Sequence, residues 1–143
     1  MVNPVETNQV DEWRGLLKQA IKAREYAYAP YSHFKVGAAL LTISGKVYQG
    51  CNIENAAYSP TMCAERTAIF KAVSEGDRNF AAIAIATANG SGPCGSCRQV
   101  MREFAPDLTV IIGDLEGNYQ VFTLTDLLPQ SFGPANLIGN HGS

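Results

Sequence analysis

The chain has 143 residues, of which 46% are apolar and 17% charged, and its formal net charge is −2. That length suits one domain over residues 1–143 with a substantial hydrophobic core, the acidic balance leaves no global basic footprint for nucleic acid, and no apolar run approaches the ~20 residues of a membrane-spanning helix. Met1 to Thr7 has neither the basic nor the apolar region of a signal peptide, and four cysteines without an export signal favour metal binding or free thiols over disulfides, so a cytoplasmic home is expected.

Val10 to Tyr28 reads as an amphipathic helix. Trp13, Leu16, Leu17, Ala20 and Ile21 recur at helical spacing, Asn8 suits the N-cap, and Pro30 bars continuation. Val36 to Ile43 is nearly all apolar, as in a strand covered on both faces. Ser44-Gly45 gives a tight turn, and Lys46 to Cys51 an antiparallel return. A polar-aromatic connector follows over Asn52 to Tyr58. Ser59-Pro60, an N-cap then a proline, opens a second helix that runs to about Ser74, with Gly76 past its end. Ala81 to Thr87 is an apolar strand, and the glycine-rich loop Asn89-Gly90-Ser91-Gly92-Pro93 leads into a third helix from about Gly95 to Phe104. Leu108 to Ile112 and Tyr119 to Thr123 read as a hairpin, and Thr125 to Leu128 as a short helix. About residues 1–9 and 134–143 are expected to be flexible tails. This order predicts an α/β fold: a three-layer α/β/α sandwich on a mixed five-stranded sheet, with parallel strands flanking the third helix.

The chemistry concentrates in two stretches, Met62-Cys63-Ala64-Glu65-Arg66 and Pro93-Cys94-Gly95-Ser96-Cys97-Arg98. Cys94 and Cys97 have a metal-ligand spacing that, alone, also fits a redox pair. Cys63 completes a three-thiolate set. Three protein ligands leave the fourth position of tetrahedral zinc open to water, as in a catalytic site. Glu65, two residues from a ligand, is placed to shuttle the protons of that water. One Zn²⁺ per chain is therefore expected. Cys63, Ala64 and Glu65 fall near a helix start, where side chains lean towards the N-terminus and can converge just ahead of it.

Three thiolates and Zn²⁺ leave a net charge of −1, which opposes ionisation of bound water. Two features offset it. One is the pair of helix N-termini. The other is Arg66, three residues beyond Cys63 on the same helical face, whose guanidinium can donate to sulfur. Plainer readings stand beside these: Arg66 as a surface cation, and Glu65 as a first-turn acid that favours the helix dipole. Cys51 either closes a Cys₄ structural zinc or is a small buried hydrophobe. His33 and His141, the only histidines, are not expected as ligands.

Cys63-Ala64-Glu65 with Pro93-Cys94-Gly95-Ser96-Cys97 is similar to the zinc deaminases of nucleosides and nucleobases. Further segments match in order: Tyr28 to Phe34, Val36 to Leu40, Gly50 to Ala56, Cys63 to Ala68, Pro93 to Gln99, and Leu127 to Pro129. Over about Trp13 to Leu137 the chain resembles the small homotetrameric cytidine deaminases. The resemblance implies that Asn52 and Glu54 hold the ribose hydroxyls, that Phe34 packs near the nucleoside, and that the backbone at Ala64 contacts the base. It implies zinc on Cys63, Cys94 and Cys97, proton transfer by Glu65, and Tyr58 and Phe132 supplied by neighbouring subunits of a tetramer with shared pockets. Taken without it, Asn52 and Glu54 read equally as turn residues, and Phe132 as a lone exposed aromatic or a core plug.

The expected reaction is hydrolytic deamination of cytidine and 2′-deoxycytidine in pyrimidine salvage, on a small nucleoside with neither nucleic acid nor membrane as partner. Three rivals share parts of the pattern: a closed Cys₄ structural zinc module, a nucleic-acid editing deaminase, and a deaminase of another aminopyrimidine nucleoside such as blasticidin. The editing reading needs a basic groove with aromatic platforms, and the acidic balance and short length of the chain count against it.

Overall fold

Strand Phe80–Ala86 carries the logic of the fold in its alternation, Phe-Ala-Ala-Ile-Ala-Ile-Ala. Successive side chains point to opposite faces, so Ile83 and Ile85 enter one core while Ala82, Ala84 and Ala86 enter the other. The bulky face meets two helices. The small face lets a single long helix approach closely.

The computed structural model describes residues 4–139. The elements run α1 (Pro4–Arg24), β1 (Gly37–Thr42), β2 (Val47–Cys51), α2 (Ala64–Ser74), β3 (Phe80–Ala86), α3 (Gly95–Phe104), β4 (Thr109–Gly113), β5 (Tyr119–Thr123) and α4 (Leu124–Leu127). The five strands form one sheet in the order β2-β1-β3-β4-β5. Every neighbouring pair is antiparallel except β3 and β4, which are parallel and flank α3 in sequence. This is the expected mixed sheet. Leu16, Leu17 and Ala20 of α1 pack on one face with Ala39 and Ile111. Ile69 of α2 and Met101 of α3 pack on the other with Leu40, Leu108 and Val110. The layers are therefore α1, sheet, and α2 with α3.

Glycines set two of the contacts between layers. A Cβ at Gly37 would lie 1.9 Å from the Ala20 carbonyl oxygen, so only glycine lets α1 lie this close to β1. A Cβ at Gly50 would lie 2.5 Å from the Ala68 nitrogen and 2.6 Å from the Ala64 oxygen. Ala64 and Ala68 are fully buried, so α2 is seated on β2 backbone against backbone.

Three sequence expectations need correction. The first helix begins at Pro4, so Asn8 lies inside it and is not its N-cap. It ends at Arg24 rather than Tyr28, because the Tyr28 backbone pairs instead with the connector: its N–H donates to Asn52 O, and its O accepts from Glu54 N. The second helix starts at Ala64, not at Ser59-Pro60. Ile53 and Met62 exchange both backbone hydrogen bonds at 2.9 Å, which holds residues 59–63 in extended and turn conformations until Cys63. Beyond Gly133, Ala135–Gly139 form one π-helical turn. Residues 1–3 and 140–143, His141 among them, lie outside the described residues.

Candidate active site

Two helices start immediately after a cysteine. Cys63 is the N-cap residue of α2 and Cys94 that of α3, both with extended backbone. Cys97 lies in the first turn of α3 and is fully buried. The corrected start of α2 thus puts Cys63 ahead of the helix, not within its first turns. The three sulfurs lie within 4.8 Å of one another, with Cys94 Sγ and Cys97 Sγ 3.4 Å apart. Thiolates about 2.3 Å from one tetrahedral zinc stand about 3.8 Å apart, so the cluster has the right donors at the right spacing. Cys51 is not a member; half-buried at the end of β2, it lines a separate hollow with Tyr26 and Lys71.

The thiols are electrostatically unequal. Cys63 is lowered to about 5, first by a hydrogen bond from Cys97 and further by Arg66, while burial opposes the shift. Arg66 Nη2 donates to Cys63 Sγ at 3.3 Å, the contact expected from the i, i+3 spacing. Arg66 Nε is buried with no hydrogen-bond partner among the described residues. Cys97 is pushed up, first by its hydrogen bond to Cys63, then by burial and by the charge of Glu65. One negative charge is thus concentrated on Cys63, and a cation is needed to draw the proton from Cys97.

Glu65, the second residue of α2, is 4% exposed. Burial pushes its carboxyl above the ordinary range, and the charge of Cys63 adds to that; its own backbone N–H and Cys97 pull the other way. It faces a cleft of about 290 Å³ also lined by Phe34, Asn52, Glu54, Cys63, Ala64 and Cys94. Four residues singled out in the sequence, Phe34, Asn52, Glu54 and Ala64, are therefore brought together with Glu65 and two of the thiols.

The far end of the cleft is built from loops. Asn52 is buried and spends its side chain on backbone: Oδ1 accepts from Val36 N at 2.9 Å, and Nδ2 donates to Phe34 O at 2.8 Å. One N–H and one lone pair remain. Glu54 accepts from the backbone of Tyr31 and Ser32 at 3.0 and 3.1 Å, and from the Ser32 hydroxyl. The Ser32 hydroxyl, with those backbone bonds, holds the Glu54 carboxyl below its usual range. A second hollow of about 410 Å³ contains Tyr58 and shares Ser32, Glu54 and Thr61 with the cleft. Tyr58 is 75% exposed and Phe132 58% exposed; neither lines the cleft of its own chain. His33 is exposed with φ 59° and is not in the cluster.

Sequence reasoning missed Ser32, Thr87 and Ser91, which also line the cleft. Thr87 Oγ1 accepts from Ser91 N at 2.8 Å and donates to Asn89 Oδ1 at 3.2 Å, which folds the glycine-rich loop back. The available signal was topological. Thr87 follows the parallel strand β3, and the carboxyl ends of parallel strands are where α/β sheets place ligands.

The "Cytidine and deoxycytidylate deaminase zinc-binding region" family matches residues 11–113. The chain belongs to this deaminase family. That region contains Cys63, Cys94 and Cys97, and the family and the cluster together identify zinc as the metal. A cytidine deaminase of Halalkalibacterium halodurans is 56% identical over 82% of this chain and 91% of its own length. One from Sporosarcina psychrophila is 51% identical over 85% of this chain and 92% of its own. The crystal structure of a cytidine deaminase from Burkholderia pseudomallei superposes with a TM-score of 0.80 at 51% identity, covering 82% of this chain and 97% of that one. The deaminase fold is therefore shared along with the sequence. No described helix is long and apolar enough to cross a membrane.

Proposed function

We propose that the chain hydrolyses cytidine and 2′-deoxycytidine to uridine and 2′-deoxyuridine with release of ammonia. The observation that carries this reading is a buried carboxyl, Glu65, beside three thiols at one end of a cleft whose other end is polar. Cys63, Cys94 and Cys97 would hold the zinc, which when bound supplies the Lewis acidity that makes water a nucleophile near neutral pH. Glu65 takes a proton from water and passes it to the ring nitrogen N3 as oxygen adds to C4; it then moves the proton of the new C4 hydroxyl to the amine, so that the carbonyl forms as the C4–N bond breaks and ammonia leaves. Its raised pKa suits both tasks, because burial that disfavours the charged form makes the carboxylate a stronger base towards water. Arg66 withdraws charge from Cys63.

The polar end suits a sugar. Asn52 would offer its remaining N–H, and Glu54 its remaining lone pairs, to ribose hydroxyls, with Phe34 against the nucleoside and the Ala64 backbone on the base. Exposed Tyr58 and Phe132 support a homotetramer in which neighbours complete each pocket. The relatives named as cytidine deaminases support the nucleoside over a nucleic acid. Unpaired thiols at a metal cluster suit a reducing cytoplasm, and hydrolysis of free nucleosides would serve pyrimidine salvage. The direct test is to incubate the zinc-loaded protein with cytidine and assay ammonia, with cytosine and a short single-stranded DNA as comparisons. Ammonia from DNA but not from cytidine would refute the reading.

A further inference from the structure

Three sulfurs meet at the cluster, and each is held there by different means. Cys97 is fixed by full burial in the core beneath α3. Cys63 is fixed by the seating of α2 on β2 at Gly50. Cys94 has neither support: it is exposed, and it ends a loop containing Gly90 and Gly92. What grips the backbone just ahead of it is the Arg98 side chain.

Arg98 Nε donates to Pro93 O at 2.9 Å, the carbonyl immediately before Cys94. Arg98 Nη1 donates to Leu127 O at 2.7 Å. Leu127 is the last residue of α4, so its carbonyl is one that the helix leaves unpaired. α4 is itself anchored independently of the metal site. Leu124 is buried, its N–H donates to Leu108 O at 2.9 Å, and Thr123 and Asp126 form a reciprocal cap. The planar guanidinium can hold two acceptors at a fixed angle, which a lysine ammonium on a flexible stem cannot.

On the reading of the three thiols as zinc ligands, we propose that Arg98 is a positioning residue for Cys94, bracing the residue before that ligand against the anchored end of α4. Its neighbours on α3 serve a different purpose. Arg102 Nε donates to Ser131 Oγ at 2.8 Å, and Gln99 Nε2 to Phe132 O at 2.8 Å. They tie the C-terminal segment to α3 and do not reach the loop ahead of Cys94.

The test measures zinc affinity by chelator competition on the full chain, with the thiolate-to-metal absorption of the cobalt form as a second readout. Arg98→Ala is expected to weaken zinc binding about 10–100-fold, the usual range for a partner that orients a ligand, and to lower the cobalt–thiolate band. Arg98→Lys keeps one contact at best and falls between. Arg102→Ala, which removes a comparable hydrogen bond one turn further along α3, leaves both readouts at the parent value. Unchanged zinc affinity in Arg98→Ala overturns the proposal. So does an equal loss in Arg102→Ala, which would assign the effect to the stability of α3. If Arg98→Ala does not fold, an unchanged affinity in Arg98→Lys overturns it in the same way. A parent chain that binds no zinc would overturn the ligand reading first, and the brace with it.

Discussion

The two ends of the cleft are built on opposite plans. The thiol end rests on regular structure: two helix N-termini, a buried glutamate and an alanine-on-glycine contact between α2 and β2. The polar end, proposed to hold the sugar, rests on loops whose polar side chains are already engaged, Asn52 with Phe34 and Val36, Glu54 with Tyr31 and Ser32. Chemistry that demands fixed geometry is placed on rigid elements. The polar end, proposed above to hold the sugar, is placed on a loop scaffold, where binding residues are commonly carried.

The largest expected effects lie at the thiol end. Cys63→Ala, Cys94→Ala and Cys97→Ala each remove one of three ligands and should abolish both metal and activity. Cys51→Ala, outside the cluster, should keep one zinc per chain by elemental analysis. Zinc lost from Cys51→Ala alone would break the open three-ligand assignment. Binding should also depend on pH with a definite sign. Cys63, lowered to about 5, is already a thiolate at neutral pH, whereas raised Cys97 must give up its proton to bind. Zinc affinity should therefore fall about tenfold for each unit of pH decrease on account of Cys97 alone. Calorimetry in buffers of different ionisation enthalpy counts that proton.

Next in size is Glu65→Gln. A positioned proton carrier contributes about 10²–10⁴-fold, and Glu65 is asked to act more than once. The fold and the metal should survive, because burial already favours the neutral carboxyl and an amide has nearly the same shape. A zinc-replete mutant with kcat near that of the parent would remove Glu65 from the mechanism.

Phe132→Ala probes whether a neighbour completes the pocket by stacking on the base. Stacking on a base is worth about 1–3 kcal/mol, so the expected loss in kcat/KM is roughly ten- to a hundredfold. Refolding Glu65→Ala with Phe132→Ala should restore near-normal kcat/KM in mixed pockets that join an intact Glu65 to an intact Phe132. Verified hybrid oligomers with no more activity than the sum of the parents would place Phe132 outside its neighbour's pocket.

The same division between the two ends governs what could be read from the sequence. The thiol end was legible because Cys-x-x-Cys spacing, helix starts and Cys63-Ala64-Glu65 are local patterns with a chemical meaning. Even so, the start of α2 was misplaced. Ser59-Pro60 is a good opening signal, and it lost to a tertiary contact, the Ile53–Met62 pairing. The end of α1 was misread for the same reason, since Tyr28 answers to residues 52–54 and not to its own helix. The layer order and the parallel pair followed from periodicity and element order. Ser32 and Thr87 did not, because a serine or threonine in a loop has no spacing signature; only the fold brings Ser32 to Glu54.

The smallest predicted effect separates two residues that the resemblance treats alike. Asn52 and Glu54 are both expected to contact ribose, yet the protein uses them differently. Asn52 is buried and satisfies the Val36 N–H and the Phe34 carbonyl. Asn52→Ala leaves both groups without those partners, at a cost of about 1–3 kcal/mol when such groups stay buried. Its unfolding midpoint should drop and its nucleoside turnover should weaken together. Glu54 sits at the cleft rim and bonds to an exposed loop. Glu54→Ala should raise KM for cytidine with little change in the unfolding midpoint, because water can replace the carboxylate at Tyr31 and Ser32. Thermal unfolding run beside kinetics on both variants decides the matter. Equal loss of stability in the two would show that Glu54 is as structural as Asn52, and equal kcat/KM for cytosine and cytidine in the parent would remove the case for sugar recognition at either position.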